Sequence, residues 1–203
     1  VIARTAITAF LILLLAACSA GKPVPEDRFY EVSPELPDVS PTVYLKGGIT
    51  LAHVTADPLR NGRAIVYRHA GRPLELGRYH YEFWADQPPK MVQDALLDSL
   101  RHSHIADRVE SEGHRPHFSY ELDVKVRRFE SLIDAGRARA DIELQATLRK
   151  GGNGDLLWTN VYRRQVGARA GDMHALADAM QQGMGQIFAA MIEDLKVADA
   201  GNN

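Results

Sequence analysis

The sequence predicts an α+β domain, with a mainly antiparallel sheet, mixed pairing left open, covered by two amphipathic helices. Three observations carry this. Two long segments alternate strictly between apolar and polar residues, a glycine-rich turn returns a third strand, and the last forty residues carry one apolar stripe at helical spacing. The chain has 203 residues, 45% of them hydrophobic and 25% charged, which suits one domain with tails. Lys and Arg number 24 against 26 Asp and Glu, a formal charge of −2, so no net basic face invites nucleic acid. A single cysteine permits no internal disulfide, and the fold must be held by its core.

The first element is not part of the fold. Arg4 precedes an apolar run from Ala6 to Ala17 broken only by Thr8, and small residues follow. A bilayer core of about 30 Å needs roughly 20 helical residues, so this run is too short to span. A basic start, a short apolar centre and a small-residue end describe a secretory signal peptide over residues 1–17. The chain opens on Val1, read either as an alternative start codon or as a start lying upstream. Residues 18–43 contain Pro23, Pro25, Pro34, Pro37 and Pro41 among Ser, Asp and Glu. Such a segment is extended at about 3.1 Å per residue and is expected to be a tether. An ordered arm packed on the domain is the alternative, favoured by Phe29, Tyr30 and Val32.

The expected domain occupies residues 44–197, with 198–203 a frayed tail. Ile49 to Ala56 is strand-like and stops before Pro58. Ala64 to His69 is a second strand after the turn residues Asn61 and Gly62, and Tyr79 to Ala85 a third, rich in aromatics. Pro88 and Pro89 suit a helix start, and Val92, Ala95, Leu96, Ser99 and Leu100 place an amphipathic helix over 89–102. A brief strand is expected near Val109. Phe118, Tyr120, Leu122, Val124 and Val126 alternate with polar residues until Phe129 breaks the rhythm, predicting a bulge or bend. Ala138 to Leu148 alternates in the same way, so Asp141 is expected on the wet face. Lys150 to Asp155 is a hairpin turn and Leu156 to Val166 the returning strand. Asp172 caps a final helix whose stripe includes Leu176, Met180, Met184, Ile187, Phe188, Met191 and Leu195. Gly183 and Gly185 weaken that helix by about 1 kcal/mol each relative to alanine, and suggest close approach to the sheet.

No nucleophile elbow, phosphate loop, dinucleotide fingerprint or metal-protease motif is present, so no enzyme activity and no cofactor are expected. His102, His104, His114 and His117 have spacings that could bind a transition metal, but no cysteine or carboxylate set joins them, and no metal site is expected. Asp134 and Asp141 form no acid–base pair that spacing can define. Along the aromatic strand, Tyr79, Tyr81 and Phe83 share one face and His80, Glu82 and Trp84 the other. Tyr79, Tyr81, Phe83 and Trp84 are therefore candidates for a partner or lipid surface, with ordinary core packing the alternative.

Leu15-Ala16-Ala17-Cys18 resembles the lipobox of bacterial lipoproteins, with an ordinary signal peptide and an incidental cysteine as the alternative. The resemblance implies that the Cys18 thiol receives a diacylglyceryl group, that cleavage precedes it, and that the new amine is acylated. Ser19, where an aspartate would retain the protein at the inner membrane, implies the outer membrane, periplasmic side. The element order, together with "IVYR" and "GRYHYEFWADQPPKMVQDALLDSL", resembles the ABC-type transport auxiliary lipoprotein family, of the paraquat-inducible protein C type, over roughly Tyr44 to Leu195. That resemblance implies a non-enzymatic lipoprotein, held by acyl chains, that docks a periplasmic assembly at the outer membrane; a structural or assembly lipoprotein of a secretion or cell-wall complex is the alternative. Its implied partners are an ABC permease, its ATPase and an MCE-domain periplasmic protein, in a system that moves lipids or other hydrophobic molecules. A homo-oligomer is left open, and Cys18 is the one functional position the family carries over.

Overall fold

The computed structural model describes residues 25–113 and 118–198. Along the chain these residues form β1 (Arg28–Tyr30), β2 (Ile49–Leu51), β3 (Thr55–Ala56), β4 (Ala64–His69), β5 (Gly77–Trp84), α1 (Pro88–His102), β6 (Val109–Ser111), β7 (Tyr120–Asp134), β8 (Arg137–Lys150), β9 (Leu156–Ala168) and α2 (Met173–Leu195). The two long alternating segments are β7 and β8, and with β9 they form an antiparallel meander.

The other edge of β7 is shared by three short strands. β2 runs parallel to it at Tyr120–Leu122, β3 at Lys125–Val126 and β4 at Glu130–Ile133. Together they make one interrupted strand, and the interruption holds Pro58, which lacks the N–H a ladder needs. β6 adds outside β2 in parallel, β5 outside β4 antiparallel, and β1 outside β5 in parallel. The nine-stranded sheet is therefore mixed: the long ladders are antiparallel and most of the short ones parallel. The irregularity expected at Phe129 falls between Val126 and Arg128.

Both helices cover one face. α1 begins with two prolines and no side-chain cap, since its first N–H groups have no intrahelical partner in any case. α2 begins at Asp172, whose Oδ1 accepts from the Ala175 amide at 3.0 Å. Val92, Leu96 and Leu100 of α1 and Met180, Met184, Ile187, Phe188 and Met191 of α2 share one core with Leu122, Val124 and Val126 of β7 and Ile142, Leu144, Ala146 and Leu148 of β8.

The segment expected to be a tether over 18–43 is in large part folded. β1 lies in the sheet, the Ser40 amide donates to the Ser103 carbonyl at 2.8 Å, and Val32 is buried in the core. On the helix side the arm passes Gly185, where a Cβ would lie in ordinary contact, 3.6 Å from the Glu35 carbonyl oxygen. Residues ahead of the expected boundary at 44 thus pack on the domain as the ordered arm that Phe29, Tyr30 and Val32 favoured.

Candidate functional site

Cys18, the position with the clearest expected chemistry, lies outside the described residues, as do His114 and His117. Among the described residues no group of three His, Cys, Asp or Glu side chains converges as a metal site would require. Asp134 pairs with Arg139, while Asp141 pairs with Arg163 and Arg128, so each is engaged separately.

β5 carries the aromatic candidates. Trp84 is 1% exposed and meets Phe129 edge-on at 5.2 Å, so it is a core side chain and drops out of the surface set. Tyr79, Tyr81 and Phe83 do not form one continuous face. The register against β4 slips between Ala64 and Val66, and the corresponding step on β5 runs from Phe83 to Arg78. Strand parity is lost across such a bulge. Tyr79 consequently packs on Tyr67, with ring centroids 4.9 Å apart, and hydrogen-bonds Ser131. Burial holds its phenol above the ordinary value, with the Ser131 bond acting the other way. Phe83 stacks instead on Phe29 of β1 at 5.6 Å, and Arg63 lies 5.0 Å over the Phe29 ring. Tyr81 is exposed beside His80. The surface left for a partner is thus Phe29, Phe83 and Tyr81, at the β1–β5 edge.

A groove of about 740 Å³ runs between the arm at Glu31–Leu36 and α1. Asp94, Asp98, Arg101 and His102 stand on its wall, so it is not the dry apolar cavity that would carry a lipid.

The feature that sequence reading missed is a buried charge cluster. Glu130 and Asp141 are both 0% exposed and are paired across the β7–β8 ladder. Glu130 accepts from Arg60 at 2.5 Å and Arg68 at 2.6 Å. Asp141 accepts a two-pronged bond from Arg163, Nε at 2.9 Å and Nη2 at 2.7 Å. Arg128 lies between them, 3.4 Å from Glu130 and 3.7 Å from Asp141, and reaches Glu143 at 3.2 Å. Arg60 is delivered by the β3–β4 loop, where Asp57 accepts from the Leu59 and Arg60 amides in a tight turn. The expected wet position of Asp141 is thus corrected: alternation gives the face, but a lid of arginines closes over that face. The three carboxylates Glu130, Asp141 and Glu143 and the four arginines Arg60, Arg68, Arg128 and Arg163 pair with one another and join β7, β8, β9 and the β3–β4 loop.

The model for the ABC-type transport auxiliary lipoprotein component matches residues 30–192. The chain belongs to this family. The auxiliary lipoprotein's fold is shared by a crystal structure of a Xanthomonas campestris protein of the family-model DUF330, at 20% identity and a TM-score of 0.77, covering 86% of this chain and 98% of that one. A crystal structure of an uncharacterized protein gives 14% identity and a TM-score of 0.64, covering 84% and 99%. A hypothetical protein from Chlamydia trachomatis gives 7% and 0.52, covering 77% and 99%. At these identities the likeness shows the fold alone. No curated protein sequence matches the chain. The match begins at residue 30, the last residue of β1. No helix among the described residues is long and apolar enough to cross a membrane.

Proposed function

We propose that this auxiliary lipoprotein is a non-enzymatic component of an MCE-type ABC transport system that moves lipids or other hydrophobic molecules across the envelope. Acyl chains on Cys18 hold it at the inner leaflet of the outer membrane, facing the periplasm. There it docks the MCE-domain protein, which works with the permease and ATPase. The observation that carries the reading is the family match over residues 30–192. The Leu15–Cys18 sequence supports lipidation, since several acyl chains together anchor a protein stably, each buried methylene adding about 0.8 kcal/mol. The exposed Phe29 and Tyr81, with the half-buried Phe83 that stacks on Phe29, are the docking surface in this reading, aromatic residues at the β1–β5 edge.

The test is mass spectrometry of proteins retained with the full chain after extraction from membranes in mild detergent. Recovery of an MCE-domain protein with a permease and an ATPase is expected, and a paired Phe29→Ala, Tyr81→Ala variant should recover less of them. A reproducible set of cell-wall or secretion components instead would overturn the transport reading. Cys18→Ala should abolish both outer-membrane anchoring and transport. Transport that persists without anchoring would overturn the docking mechanism.

A further inference from the structure

At one end of the sheet lie the β4–β5 loop, the β7–β8 turn and the chain between β9 and α2. The pairs His69–Ile133, Tyr67–Gly77, Asp134–Arg137 and Ala138–Ala168 place them together. Leu74, in the first of these loops, is 99% exposed. A single exposed leucine is ordinary. This one is held out by the fold: the Arg72 amide donates to the His69 carbonyl at 2.9 Å, the Glu75 amide to the Arg72 carbonyl at 3.1 Å, and Arg68 to the Pro73 carbonyl. Arg68 is itself fixed by buried Glu130, so the loop rests on the charge cluster. At this end Arg72, Arg78, Arg137, Arg139 and Arg169 stand against Glu75, Asp134, Asp172 and Asp178. Among the described residues Arg78 and Arg137 make no ion pair, and both are exposed.

The path of the chain supplies the third observation. β1 is parallel to β5, with Arg28 beside Glu82 and Tyr30 beside Trp84. The chain therefore enters β1 from the Gly77 side, the same end that bears Leu74. Gly77 lies about 17 Å beyond Arg28 at about 3.3 Å per residue. The roughly ten residues from Cys18 to Asp27 span at most about 33 Å, enough to pass that end but not to lift the domain far from it.

We propose that this end of the sheet is a lipid-facing surface: Leu74 inserts into the headgroup region of an anionic leaflet and Arg72, Arg78, Arg137 and Arg169 contact its phosphates. The inference rests on the anchoring reading above and adds an orientation to it. Basic residues at an anionic surface and a shallow apolar insertion are the two terms that hold such contacts. The domain then stands with α2 and the long strands rising from the membrane, and the Lys150–Asp155 turn at the far end points away.

The experiment uses the full chain, membrane-extracted and reconstituted into vesicles of phosphatidylcholine with phosphatidylglycerol. If Cys18 is lipidated, Leu74→Cys supplies the one free thiol for an environment-sensitive fluorophore, and Asp155→Cys supplies a control at the far end. The label at 74 should shift to the blue and be quenched by brominated lipid, while the label at 155 stays as in water. Adding Arg78→Gln or Arg137→Gln should weaken surface partitioning about fivefold for each charge removed. A label at 74 that stays in water on vesicle-anchored protein overturns the proposal, as does preferential quenching at 155. Thiol labelling of the parent chain reports separately on Cys18: a free thiol there overturns the anchoring reading. The same Leu74→Cys depth measurement, made with Cys18→Ala in the background, then decides the orientation by itself.

Discussion

Glu130 and Asp141 show what one buried carboxylate asks of its surroundings. Each is fully buried and each is met by at least two arginines, which places the guanidinium charges against carboxylate oxygens that water cannot reach. Removing one partner strands the others. Glu130→Ala should cost about 3–5 kcal/mol, read by chemical denaturation, because Arg68 would keep a nearly buried charge without its carboxylate and Arg60 would keep only Asp57. Arg60 adds to this, since its Nε is buried without a partner among the described residues. Asp57, which turns the loop that delivers Arg60, gives a pH test. Burial pushes its carboxyl up, but the hydrogen bonds and charge of Arg60 outweigh burial and hold it below the ordinary carboxylate value. The unfolded chain therefore binds more protons in the acid range. The stabilisation is complete above about pH 4 and is lost as pH falls through the lower folded-state value. Asp57→Asn should lower stability at neutral pH and flatten the acid limb of a denaturation profile recorded against pH. Tyr162 is the other buried polar anchor. Burial first, and then its 2.6 Å hydrogen bond to Asp194, raise its phenol far above the ordinary value, so it remains a neutral donor tying β9 to α2.

At the scale of the element, α2 separates two glycines that look alike in sequence. A Cβ on Gly183 would meet Ile142 Cδ1 at 2.6 Å, inside the core between helix and sheet. A Cβ on Gly185 would reach only ordinary contact with the arm, at 3.6 Å from the Glu35 carbonyl oxygen. Gly185→Ala should therefore gain about 0.5–1 kcal/mol from helix propensity. Gly183→Leu should lose about 1–3 kcal/mol by overpacking, and paired thermal melts would separate the two. Asp172→Ala should remove the cap at Ala175 and cost about 1 kcal/mol. Boundaries of the long elements were legible to within a few residues, because period two over β7 and β8 and the stripe over α2 extend over many residues. The short parallel strands were less so. Ile49 to Ala56 reads as one strand and is two, since nothing in so short an apolar run marks where pairing to β7 lapses.

For the whole molecule, one core joins both helices, the meander and the arm at Val32. Unfolding should be a single transition, with the fluorescence of Trp84 and Trp158 and the helical circular dichroism changing together. An earlier loss of fluorescence would mean that β1 and β5 leave the sheet separately. The same continuity sets the molecule's posture. Because the segment from Arg28 is folded onto the domain, the free length behind Cys18 is short, and a lipidated chain would hold its domain close to the bilayer rather than at the end of a long tether.

The layers were already set by pattern: alternating residues can bury only one side of a strand, and a helical stripe can bury only one side of a helix, so a sheet covered by two helices follows. The sequence also placed the family resemblance and the one cysteine whose surroundings suggest lipidation. Tertiary structure alone decided the parallel pairings, the burial of Asp141 and the direction in which the chain enters β1. These depend on what a distant segment lays against a given face. Local periodicity records which side a residue points to, but not whether an arginine seventy residues away, such as Arg60 above Glu130, will close over it.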